Sequence, residues 1–332
     1  MCHDTHVAHK TVKLTAFAIA LIVVVLLPGA LLSAAGLPYA GSAASLGGIT
    51  GVCAVIVVGL RGTVPVALCA GVLVMLAMTA YHRPWWAFIV LATAAALLGL
   101  VDIKGLSAAY AFVPICAGFA LAMPPVLAHN TVFGAVIGGL ATTASALLAA
   151  GFSWILLRKL PRPKLVPLSR QRSYLYALNL AFLIGIAAFI VAKLHLDNAG
   201  AWLILTLAIV VQPYVQDGIP KTLSRVGGTV IGFFIAIGIA TSVSQPALYY
   251  AFGVACVSVA LGLKLTHQSY WTYAMFLTPG VVLLVGTSSS VTSTAQARLW
   301  ATIAAGAAAL AVMLITAPWY RRDAQRLNLP RY

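Results

Sequence analysis

Two arginines, Arg225 and Arg298, carry the most chemistry in this sequence. A guanidinium is always charged, and its planar donors fit carboxylates and phosphates. The chain contains only five acids to pair with it, Asp4, Asp102, Asp197, Asp217 and Asp323, and no glutamate. Arg298 stands at the start of the last apolar run, at the end where positive charge is otherwise scarce. A cation so placed usually faces a cavity or a partner, and with acids this scarce an anionic substrate is the expected partner. Arg225 begins another apolar run and either snorkels to headgroups or projects into a bundle.

The remaining candidates are weaker. Tyr270, Trp271 and Tyr273 form either an interfacial belt, like Trp85 and Trp86, or a stacking wall for an aromatic substrate. Asp217 and Asp197 are the candidates for proton coupling, but both lie at run ends, which disfavours a carboxylate relay through the middle. Lys193 near Asp197 reads as half of a local ion pair, and His129, His195 and His267 also lie near run ends. His3, His6 and His9 beside Cys2 have metal-like spacing on a polar terminus, and no metal site is expected there. Cys53, Cys69, Cys116 and Cys256 lie in apolar runs without CxxC spacing and read as packing residues. No GxxxxGK[ST] motif, paired carboxylates or nucleophile–base pair is found, so neither an enzyme nor a cofactor is expected.

The elements that must position these residues follow from composition. Of 332 residues, 62% are hydrophobic and 8% charged, against about 25% charged in soluble domains. The solvent of such a chain is lipid. A net charge of +15 raises nucleic acid as a partner, but the bases lie between apolar runs and form no stripe with interleaved aromatics. Runs near 14–32, 47–60, 64–80, 85–101, 107–127 and 131–157, then 174–194, 199–215, 226–243, 247–263, 270–286 and 297–319, predict an all-α polytopic fold of about twelve transmembrane helices. With the N-terminus inside, only Arg83, Lys193 and Arg298 of the 20 lysines and arginines fall outside. That bias predicts a multi-pass membrane protein with both termini cytoplasmic. The first run exceeds a signal-peptide core in length and is expected to be retained.

The segment 158–173 holds six bases and three prolines and is expected to be a cytoplasmic linker near anionic headgroups. It separates a first six-helix half, 1–157, from a second, 174–320, with 321–332 as a cytoplasmic tail. The halves echo each other: Arg61-Gly-Thr63 matches Arg225 to Thr229, and Ser107 to Pro114 matches Ser269 to Pro279. Two six-helix repeats of like orientation follow, with a substrate path expected between them. Gly228 and Gly232, like Gly134 and Gly138, stand four apart and predict close helix packing.

The stretch Gln212 to Gly232, with Ser269-Tyr-Trp271, Arg298-Leu299, Thr302 and Gly306, resembles the fusaric acid resistance family. That group includes bacterial aromatic-acid exporters and has a distant likeness to plant aluminium-activated malate channels. The resemblance covers roughly 199–315. It implies a bacterial inner-membrane exporter of aromatic or other organic acids, often working with a periplasmic membrane-fusion adaptor. It also implies gating or anion attraction at Arg225 and Arg298, with Gln212, Tyr270, Trp271 and Tyr273 in the same motifs. The long cytoplasmic domain of larger members is lacking, and Arg61-Gly-Thr lacks the full arginine pattern, so the halves are not expected to be equivalent.

The leading expectation is therefore a secondary exporter of small organic anions. A passive anion channel would use the same cations, and a non-transporting scaffold for an adaptor is a third class. The expected partners are the bilayer, the anion, an adaptor and, compatibly, further copies of the chain.

Overall fold

The computed structural model describes residues 22–122, 131–158, 162–163, 165–243, 245–265, 269–285 and 291–326. The expected His tract with Cys2, the bases Lys10 and Lys13, and His129 and His267 lie outside the described residues. Among those described, the fold is all-helical with no strand. The helices are α1 (Ile22–Ala34), α2 (Pro38–Met78), α3 (Pro84–Val101), α4 (Ser107–Tyr110), α5 (Val113–Ala122) and α6 (Thr131–Leu157). Then come α7 (Arg170–Leu194), α8 (Asp197–Val210), α9 (Val215–Ser242), α10 (Pro246–Leu265), α11 (Tyr270–Val285) and α12 (Val291–Arg326). The described part of each apolar run is mainly helix, and among the described residues six helices are long and apolar enough to cross a membrane. This is a multi-pass membrane protein.

Helix is the only local solution open to these runs, because lipid offers no partner for a free backbone N–H or C=O. The buried hydroxyls obey the same rule by turning back on their own helix. Thr63 donates to the Gly59 carbonyl at 2.9 Å, Thr222 to Gly218 at 2.7 Å and Thr278 to Ala274 at 2.9 Å.

Two compact units form. The first joins the described residues up to Ala80 to Lys104–Pro167. Its centre is α2, which is broken at Gly59 by a left-handed backbone (φ 71°, ψ 178°) that costs glycine nothing. Before the break Gly47 packs on Thr142 and Gly51 on Ala146; after it Gly71 packs on Gly139 and Thr143. Contacts with α6 therefore advance in one direction along the first limb and reverse along the second. The 47–60 and 64–80 runs lie on two antiparallel limbs, 38–58 and 60–78, joined at Gly59 and each about 30 Å long. The Arg162 guanidinium lies against Gly59 and 5.2 Å from the Trp154 ring. Gly138 seats Met78 closely, and Gly134 is buried.

The second unit joins Tyr81–Ile103 to the chain from Leu168 onward. Here α3, which the sequence groups with the first six runs, packs on α7. Gly99 meets Ala177, and Gly185 meets Phe88 and Ala92. Leu168 N–H donates to the Asp102 carbonyl at 3.0 Å where the linker returns. Ser169 caps α7 by accepting from the Arg172 N–H at 3.3 Å, and His195 ends it in the left-handed region at φ 52°. Helix α9 runs parallel to α11, with Gly228 on Trp271 and Ala274 and Gly232 on Met275 and Pro279. Helix α12 runs antiparallel to α9, with Gly306 on Val226 and Gly218 on Met313.

Candidate anion site

Four helices of the second unit supply the site. Arg225 comes from α9, Arg298 from α12, Trp202 from α8, and Tyr270 and Tyr273 from α11. The glycine face Gly228/Gly232 lets α11 approach α9 so closely that a methyl at Gly228 would stand 2.6 Å from the Trp271 carbonyl oxygen. Interfaces of small residues are the usual way membrane helices gain van der Waals contact, and this one draws the tyrosines of α11 toward the arginine of α9.

Both arginines are buried, with 1% of Arg225 and 2% of Arg298 exposed, and they are the two largest fully buried side chains among the described residues. In each, Nε and Nη1 are buried and meet no hydrogen-bond partner. Withdrawing a guanidinium from water costs several kcal/mol unless charge and hydrogen bonds compensate. Arg298 finds one compensation: its guanidinium carbon lies 4.3 Å from the centre of the Trp202 ring. Arg225, Tyr273 and Tyr270 all lie close enough to act on the Arg298 charge. Arg225 raises its energy, as a like charge must.

The position of Arg225 settles the alternative left by the sequence: it projects into the bundle rather than snorkelling. The antiparallel α9–α12 pairing also brings two arginines expected at opposite membrane edges into electrostatic range. Arg61, their counterpart in the first unit, is exposed.

The other expected residues divide. Tyr270 and Tyr273 pack together with ring centroids 5.7 Å apart, and Lys221 Nζ lies 5.8 Å from the Tyr270 ring centre. Trp271 is 43% exposed, and its side chain is turned outward from the glycine seam. Gln212 donates from Nε2 to the Ile209 and Val211 carbonyls, each at 3.0 Å, and so closes the end of α8. Asp217 is exposed in the first turn of α9, where the helix dipole favours it. Asp197 accepts from the Tyr81 hydroxyl at 3.1 Å. Tyr81 also touches His82 and His195 at centroid distances of 4.7 and 5.1 Å. No group of three metal-ligating side chains occurs among the described residues.

Residues 183–312 match the family described as fusaric acid resistance protein-like. That region is similar to members of the family. It contains every residue of the site, so the resemblance drawn from Gln212, Arg225, Gly228 and Arg298 holds where it matters. The first unit, apart from the resemblance in outline, lies outside the matched segment. No curated protein and no solved structure matches the chain. Within the fusaric-acid-resistance-like region, sequence reading missed two residues. Trp202 sits in an apolar run with nothing to set it apart from a lipid anchor. Thr229, one turn beyond Arg225 and fully buried with its hydroxyl unpartnered, was visible only as part of the Gly-Thr motif.

Proposed function

We propose that this protein is an inner-membrane secondary exporter of small organic, chiefly aromatic, anions. The observation that carries this reading is the pair of buried arginines whose Nε and Nη1 meet no hydrogen-bond partner, with the Trp202 ring against Arg298. A site that holds positive charge out of water without protein acids is built for an anion that arrives and leaves. Aromatic rings beside it offer an apolar wall to the body of that anion. The chain moves its ligand rather than transforming it.

The same reading takes the twelve runs as twelve spans in two six-helix repeats, with both termini cytoplasmic and a periplasmic membrane-fusion adaptor receiving the anion. Asp197 and Asp217 are its proton-coupling candidates, Asp197 through its bond to Tyr81. Uptake of labelled benzoate-type acids into inverted membrane vesicles tests it. A proton gradient is expected to stimulate uptake, and Arg298→Gln to abolish it. Absence of uptake for every acid would sink the proposal, and currents far above a carrier's turnover would replace the exporter with a passive channel.

A further inference from the structure

Three stretches of the first unit meet at one level. Gly47 packs on Thr142 and Gly51 on Ala146, so the same register carries the first limb of α2 to its break at Gly59 level with Trp154 in the last turn of α6. The linker returns to the same point, where the Arg162 guanidinium lies against Gly59 and 5.2 Å from the centre of the Trp154 ring. Two further bases adjoin it: Arg61 two residues beyond the break and Arg158 one turn beyond Trp154. All three arginines are exposed. The sequence has no Asp or Glu within 22–80 or 104–167 of this unit, so no carboxylate from those stretches answers the three charges. The adjoining turns bear exposed Ile56, Leu60 and Ile155, apolar side chains that the hydrocarbon of a bilayer covers. Positive charge, an interfacial tryptophan and lipid-facing side chains thus share one border.

We propose that this border is a binding site for an anionic phospholipid, its phosphate held by Arg61, Arg158 and Arg162 and its chains beside the apolar turns. The planar donors of guanidinium match phosphate oxygens, and basic clusters at the ends of membrane helices attract anionic headgroups. A free phosphate would meet the same donors but would leave Ile56, Leu60 and Ile155 unmatched, whereas a lipid satisfies both halves. A zwitterionic lipid brings a cation of its own, which the arginines repel. Bound there, the phosphate ties the linker at Arg162 to the hairpin at Arg61. Glycine at the break admits this arrangement, since a methyl at Gly59 would stand 2.7 Å from Arg162 Nη2.

The test is native mass spectrometry of the purified full chain, titrated in detergent with phosphatidylglycerol or with phosphatidylcholine of the same chains. Wild type is expected to bind its first phosphatidylglycerol about tenfold more tightly than phosphatidylcholine. Arg61→Gln/Arg162→Gln is expected to lose that preference. Lys104→Gln/Arg170→Gln, which removes two other exposed charges, is expected to keep it. Arg61→Lys/Arg162→Lys preserves both charges and is expected to keep most of the preference, which separates lost charge from lost folding. Equal affinity for the two lipids in wild type would overturn the site. Equal losses in the two glutamine variants would overturn it too, in favour of diffuse charge. Full competition by glycerol 3-phosphate, which has the phosphate without the chains, would overturn a lipid as the occupant.

Discussion

The guanidinium carbon of Arg298 stands 4.3 Å from the centre of the Trp202 indole, and both side chains are buried. A cation over a desolvated indole face gains about 2 kcal/mol, so this contact holds Arg298 in place when no ligand is bound. Trp202→Leu is expected to lower the thermal midpoint through lost burial, worth about 3–5 kcal/mol for a large aromatic, and to weaken anion binding as well. Trp202→Phe keeps a ring and should lose less of both. Thermal unfolding and anion titration on the two variants would check the order.

Arg298 itself should trade stability against function. Replacing buried charge by a hydrophobic residue of similar length is often stabilising by about 1–4 kcal/mol, and here the charge also repels Arg225. Arg298→Met is therefore expected to raise the thermal midpoint while weakening anion binding. A fall in midpoint would mean that Trp202 compensates the charge fully.

Neighbouring glycines of α9 should respond in opposite ways. A methyl at Gly228 meets the Trp271 carbonyl oxygen at 2.6 Å, a backbone atom that has little room to move. Gly228→Ala is expected to cost about 1–3 kcal/mol as overpacking. At Gly227 an added methyl meets nothing within 4 Å, so Gly227→Ala should gain up to about 1 kcal/mol of helix propensity. Thermal midpoints of the two variants in one detergent make the comparison.

Tyr81 gives a pH signature. Its burial, then the hydrogen bond to Asp197 and that carboxylate's charge, push its phenol above its ordinary value of 10.0. The folded state therefore holds this proton more tightly than the unfolded chain. The stability gained is complete below pH 10 and is lost as the pH rises through the raised value. Wild type should thus lose more stability above pH 10 than Tyr81→Phe does, while at pH 7 the variant loses about 1 kcal/mol for the missing bond. Unfolding at pH 7 and at pH 10.5 on both proteins would show whether the difference narrows.

Helices were legible in this sequence because a bilayer leaves apolar runs no other structure, and the Gly228/Gly232 face was legible because helical spacing alone puts both on one side. Arg225 and Arg298 stood out by the scarcity of acids. Their nearness was not legible, since it depends on α12 running antiparallel to α9, and sequence placed the two at opposite edges. Trp202 was hidden for the same reason: an indole in an apolar run looks the same whether it faces lipid or a guanidinium. The break between the 47–60 and 64–80 runs was visible, but not that one left-handed glycine accomplishes the reversal. The pairing of α3 with α7 is a tertiary choice made by Gly99 and Gly185, which read locally as ordinary small residues.

That pairing sets a timetable. Helix α3 ends at Val101 and α7 begins at Arg170, so the ribosome makes roughly seventy residues between them. At about 5–20 residues per second, α3 waits several seconds in the bilayer while later helices are inserted around it. Until α7 arrives, the groove at Gly99 is lined by lipid, and any helix with a small-residue face is a rival for it.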